Sequence, residues 1–219
     1  MIDVTHQIPA SSRSLDPPAE QGELRTLTIA QTYATDLDDL WDACTNPERI
    51  PRWFLPVTGD LRVGGTYQLE GNAHGTIEAC DPPRSFRATW EFGEAVTWIE
   101  IVLLPDVDGG TRFELRHTAT IEEHWDQFGP GAVGIGWDLG LIGLTLHLAS
   151  GGQQVDPAEV MAWTTSPEGL RFMTESSRAW GEADIASGED PEVARRRADA
   201  TLAAYTDVPE VVDGAETEG

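Results

Sequence analysis

The chain has 219 residues, 38 of them acidic and 14 basic, for a net charge of −24; that length suits one domain plus an extension, and its 40% apolar content is ordinary for a globular protein. Every basic residue is an arginine, which excludes a Schiff-base lysine, a P-loop lysine and a lysine general base. So acidic a surface repels phosphate backbones and anionic lipids, which argues against nucleic acid and membrane as partners.

Residues 1–22 hold Pro9, Pro17, Pro18 and three serines among few apolar residues, and read as a disordered arm. Residues 24–33 alternate as a strand. Asp36 then offers a helix cap, with Leu37, Leu40, Trp41 and Cys44 at helical spacing. Asn46-Pro47 starts a second short helix. From Gly59 to Thr118 the period is two, which predicts about five or six antiparallel strands. Gly64-Gly65 marks a hairpin, Pro82-Pro83 ends a strand, and "DVDGG" joins the last two strands. A polar loop over His124–Gly131 precedes "GAVGIGWDLGLIGLTLHLAS", a long helix by the spacing of Trp137, Leu141, Leu144 and Leu148. Three more helices are expected: about 156–164, one capped at Ser166-Pro167, and one beginning at Asp190-Pro191. Residues 207–219 carry five acids and no base and read as an acidic disordered tail.

Several strings agree with one known pattern: "LWDACTNPERIPRWF", "GDLRVGGTYQL", "GTIEACDPPRSFRATW", "GGTRFELRHT" and the late Gly136-Trp137. In their order and spacing they resemble the SRPBCC or START-like superfamily, in the branch of homologues of the activator of the heat-shock-protein ATPase. The resemblance implies an α+β helix-grip fold, a curved antiparallel sheet wrapped around the long late helix, over residues 23–152. Residues 153–206 then form a helical extension packed on that domain. It also implies an apolar cavity between sheet and helix for a small hydrophobic molecule, and in some branches a protein partner of the chaperone kind or a cyclase or hydrolase activity.

The late helix holds Gly134, Gly136, Gly140 and Gly143, and each interior glycine costs about 0.5–1 kcal/mol against alanine. Either the helix lies very close to the sheet or the missing side chains leave room for a ligand. Inward strand positions are Tyr67, Leu69, Phe86, Trp90, Ile99, Ile101, Phe113, Leu115 and His117. For most of them core packing competes with a ligand role. Trp53 and Phe54 follow the short helix and either border the cavity mouth or staple the helix pair to the core. The ligand-binding candidates are Trp53, Phe54, Tyr67, Trp90, Ile99, His117, Trp137, Gly140 and Leu141. His117 is either a satisfied core residue or, with one nitrogen free, a group that orients the ligand.

Trp98, Val102 and Leu104 point to the other face of the sheet, which either the C-terminal helices or a second subunit should cover, the helices being preferred. Glu122, Glu123, His124 and Asp126 resemble a metal cluster in composition only. There is no GxSxG elbow and no dinucleotide fingerprint, so no catalytic residue, metal or cofactor is assigned. Cys44 and Cys80 lie in no CxxC and are expected as buried or half-buried thiols of a cytoplasmic protein. No secretory signal is read at the N-terminus, and no apolar stretch is read as approaching the length of a membrane span. The expected partner is a small hydrophobic ligand, with a chaperone-like protein as the alternative, and the chain is a monomer or a homodimer.

Overall fold

The computed structural model describes residues 4–107 and 109–206; the acidic tail expected at 207–219 lies outside them. In chain order the elements are α1 (Val4–Ala10), β1 (Ser11–Leu15), β2 (Leu24–Tyr33), α2 (Leu37–Thr45) and a 3-10 turn (Ile50–Arg52). Then come β3 (Val57–Gly59), β4 (Thr66–Leu69), β5 (His74–Asp81), β6 (Ser85–Phe92), β7 (Ala95–Pro105) and β8 (Thr111–Thr120). The helices α3 (Glu123–Phe128), α4 (Gly131–Ala149), α5 (Pro157–Thr164), α6 (Pro167–Ala186) and α7 (Pro191–Thr206) follow. The strands form one antiparallel sheet in the order β1-β2-β8-β7-β6-β5-β4-β3, and the fold is the α+β helix-grip arrangement.

Residues 4–15 correct the expected arm. Here β1 pairs with β2 from Ser11↔Gln31 to Leu15↔Leu27. Its polar residues suit an edge strand, where every second side chain meets solvent. Gln7 and Ser11 both donate to the amide oxygen of Gln31, so the segment is tied down by buried hydrogen bonds as well as by the ladder. The expected loop after β8 is also corrected, since it contains the short helix α3.

α4 is apolar all round because both of its sides are covered. One side gives Trp137, Leu141 and Leu144 to the main core against β2, β7 and β8. The other gives Ile142 to a second cluster with Val4 of α1 and Phe172 of α6. By length and composition this helix is long and apolar enough to cross a membrane, contrary to the expectation from sequence. A core helix sandwiched between two layers meets the same test. Its one carboxylate, Asp138, is 2% exposed and accepts hydrogen bonds from Ser176 Oγ at 2.6 Å, Trp180 Nε1 at 3.0 Å and both Nε and Nη2 of Arg13. One side chain thereby joins β1, α4 and α6.

The C-terminal helices do not cover the outer sheet face. α6 lies against α4 and the β1 edge, and α7 against α6 and α3. Trp98 and Val102 are half-buried and Leu104 is exposed. On that face the register sets Glu100 beside Arg116 and Val102 beside Glu114. Arg116 pairs with Glu100 at 2.9 Å and with Glu114 at 2.7 Å, so an ion-pair network runs beside the apolar positions on this face. The far end of α6 is fixed by Arg25 of β2, which donates to Asp184 at 2.8 Å and to Ser187 at 2.7 Å. On α6 itself, Leu170 is partly exposed, while Phe172, Met173 and Trp180 are buried.

Replacing Asp138 by alanine leaves the buried Arg13 guanidinium unpaired. The variant should lose roughly 3–5 kcal/mol in urea denaturation. The double change Arg13→Met with Asp138→Leu should recover only part of that loss, because the buried Ser176 hydroxyl and Trp180 N–H stay without their acceptor.

Candidate functional site

The stretch after α2 is held by one arginine. Arg49 Nη1 donates to Asp39 at 2.8 Å and Asp42 at 3.0 Å. Its Nε donates to His147 Nε2 of α4 at 3.0 Å. That leaves His147 Nδ1 as the donor to the Gln153 carbonyl, at 2.8 Å. The Arg49 hydrogen bonds hold the Asp39 and Asp42 carboxyls below the usual carboxylate range. Trp53 Nε1 donates to the Ala43 carbonyl at 2.9 Å, and the Trp53 carbonyl sits against Gly143. The turn following α2 is therefore locked to both α2 and α4.

Between this segment, the concave sheet face and α4 lies a cavity of about 340 Å³. Trp41, Cys44, Thr45, Ile50, Trp53 and Phe54 wall one side. The sheet contributes Tyr67, Leu69, Phe86, Ala88, Trp90, Ile99 and Ile101, and α4 contributes Trp137, Gly140 and Leu141. Trp90 and Trp137 meet edge to face with centroids 4.9 Å apart, and Phe54 lies nearly parallel to Trp137, at 17°. Eight of the nine candidate positions thus come together around one space, and His117 does not.

His117 is 2% exposed and sits behind Trp137. Trp137 Nε1, a donor only, gives its proton to His117 Nδ1 at 3.0 Å. His117 Nε2 must then carry the hydrogen, donated to Thr97 Oγ1 at 2.9 Å, and Thr97 in turn donates to the Trp90 carbonyl at 2.9 Å. No nitrogen is free, so the reading of His117 as a group that orients a ligand is corrected: it positions Trp137. Burial holds its pKa down at about 4, against an ordinary 6.5, which keeps the ring neutral.

The two hydroxyls at the cavity are also committed. Tyr67 donates its hydroxyl to the Thr89 carbonyl at 2.6 Å, and burial raises its pKa. Thr45 donates to the Trp41 carbonyl at 2.7 Å. Burial pushes the Cys44 thiol up to about 12 and also raises that of Cys80, which is exposed rather than buried. Neither is a thiolate nucleophile near neutral pH. Among the described residues, no group of three or more metal-ligating side chains gathers.

A family model described as "Activator of Hsp90 ATPase homolog 1-like protein" matches residues 34–146. The chain belongs to this family. CalU16 from Micromonospora echinospora is a similar solved protein. Its solution structure is 36% identical, with a TM-score of 0.67, over 82% of this chain and 97% of that one. Its crystal structure matches at 32% identity and a TM-score of 0.61, over 80% and 99%. DynU16, from the dynemicin biosynthetic locus, shares the fold at 15% identity and a TM-score of 0.51, over 60% of this chain and 50% of that one. No curated protein matches.

Within this family fold, the α4 glycines divide by neighbour. A Cβ on Gly134 would overlap the Trp180 ring, and one on Gly143 the Trp53 carbonyl. Gly136 faces the Tyr205 hydroxyl. Only Gly140 borders the cavity, and its added Cβ would sit 3.4 Å from the Phe54 ring. The close packing at Gly134 and Gly143 is against α6 and the turn after α2 rather than the expected sheet, and Gly140 alone borders the space, with Phe54 in contact range. Sequence reasoning did not place Trp41, Ile50 and Cys80 at the cavity. Trp41 had a signal, since it shares a helical face with Leu37 and Cys44; Cys80 sits in an irregular strand stretch, with a register shift at Ile77/Ala79, that spacing does not reveal.

Two expectations follow. Gly140→Ala should keep or raise stability by up to about 1 kcal/mol, while Gly134→Ala and Gly143→Ala should each lose about 1–3 kcal/mol in thermal or urea unfolding. For His117, the unfolded chain takes up a proton below 6.5 while the folded chain resists until about 4. Stability should thus fall across that window by roughly 3 kcal/mol and not change above it on this account. Nitrogen-detected NMR should show the His117 ring as the neutral Nε2–H tautomer down to pH 5.

Proposed function

We propose that the protein binds a small hydrophobic molecule between the sheet and α4, without chemistry on it. The observation that carries this reading is the 340 Å³ space, walled by apolar and aromatic side chains with no charged residue among them. A concave, mostly apolar space of this size is what small-molecule sites present. Burying about 300 Å² of apolar ligand surface supplies roughly 7 kcal/mol before the costs of association. His117 has no free nitrogen and does not face the space, so nothing there serves as a general base. In this reading the protein is cytoplasmic, where Cys44 and Cys80 remain free thiols.

The family description favours a second reading, an interaction protein of the co-chaperone kind. The two separate in one pair of assays. The neutral dye Nile red should gain fluorescence on binding with micromolar affinity. Gly140→Leu, which adds helix propensity while filling the space, should stay folded and lose at least about tenfold in affinity. Silence of the dye together with stimulation of an Hsp90 ATPase would move the assignment to the second reading.

A further inference from the structure

Resting on that reading, we infer that the ligand is an uncharged, planar aromatic molecule of about three or four fused rings, and that carboxylated and saturated globular molecules are rejected. Size comes from the volume: about 340 Å³ lies at the small end of small-molecule sites and suits a compact polycyclic ligand.

Charge selection comes from the walls. Among the described residues, no arginine, aspartate or glutamate lines the space. Six arginines adjoin lining residues in sequence: Arg49, Arg62, Arg87, Arg112 and Arg116 are engaged with carboxylates, and Arg52 donates to the Glu48 and Gly152 carbonyls. The indole N–H groups of Trp53 and Trp137 and the hydroxyls of Thr45 and Tyr67 donate elsewhere, so the donors left among the lining side chains are neutral, the indoles of Trp41 and Trp90 and the thiols of Cys44 and Cys80. A carboxylate entering this space would lose its hydration without a cation in the lining to pair with it. The net charge of −24 adds a repulsive field outside. A single ligand hydroxyl is different, because the oxygens of Tyr67 and Thr45 keep lone pairs and can accept from it.

Shape selection comes from the rings. Four of the eight tryptophans, with Phe54 and Phe86, border the space. They sit in two groups. Trp41 meets Phe86 edge to face at 6.3 Å, and Phe54, Trp137 and Trp90 form a second set whose planes differ by 17° and 60°. Rings held at crossed angles offer faces and edges together. A flat aromatic ligand matches both through its own quadrupole, whereas a saturated cage of equal volume gains dispersion alone. The His117 hydrogen bond to Trp137 fixes one of these faces before any ligand arrives, which lowers the ordering cost.

The test is calorimetry on the full chain with three neutral-pH probes: a hydroxyphenanthrene, the matching phenanthrene carboxylate, and adamantane methanol. The hydroxyphenanthrene should bind roughly tenfold or more tighter than either of the others, and Gly140→Leu should remove that binding. Equal affinity for the carboxylate or for adamantane methanol overturns the ligand class while leaving cavity binding in place. Binding by none of the three overturns both.

Discussion

Asp138 is the constraint on which the architecture turns. A carboxylate in the middle of an apolar helix is tolerable only with its lone pairs filled, and Arg13, Ser176 and Trp180 fill them from two other elements. That node fixes the back of α4 against β1 and α6. With its back fixed, the front of the helix need not collapse onto the sheet. Arg49 makes a second anchor at the other end, through His147. Between the two anchors the helix stands over the concave sheet on a few aromatic rings, and the space beneath Gly140 stays open.

Substantial parts of the fold and of the cavity wall were legible in the sequence. The alternation of Phe86, Ala88 and Trp90, and of Ile99 and Ile101, placed the inward positions, because a strand buried on one face must repeat every second residue. Ser166-Pro167 and Asp190-Pro191 marked helix starts through capping chemistry that depends on neighbours only. The order of the quoted strings then pointed to the family and its architecture.

What escaped was set by contacts distant in sequence. β1 looked like an arm because Ser11, Ser12 and Ser14 carry no apolar period; its order comes from pairing with Gln31 and from Arg13 reaching Asp138, 125 positions away. His117 lay on the right face, but its partners, Thr97 and Trp137, decide its role, and no spacing rule reveals them. The outer sheet face looked as if it needed a helix. Instead it carries the Arg116, Glu100 and Glu114 ion-pair network, an arrangement visible only once the register is known. The glycines of α4 had one sequence signal and three structural reasons.

The central claim is that the space between α4 and the sheet is real, apolar and accessible. A crystal pressurised with xenon tests it most directly, since xenon enters dry apolar voids and is seen without any assumption about the natural ligand. The account predicts a xenon site bordered by Trp137, Gly140 and Ile101, with the surrounding rings where they now stand. A crystal with no xenon there, and with Trp90 and Phe54 swung in to fill the space, would contradict it.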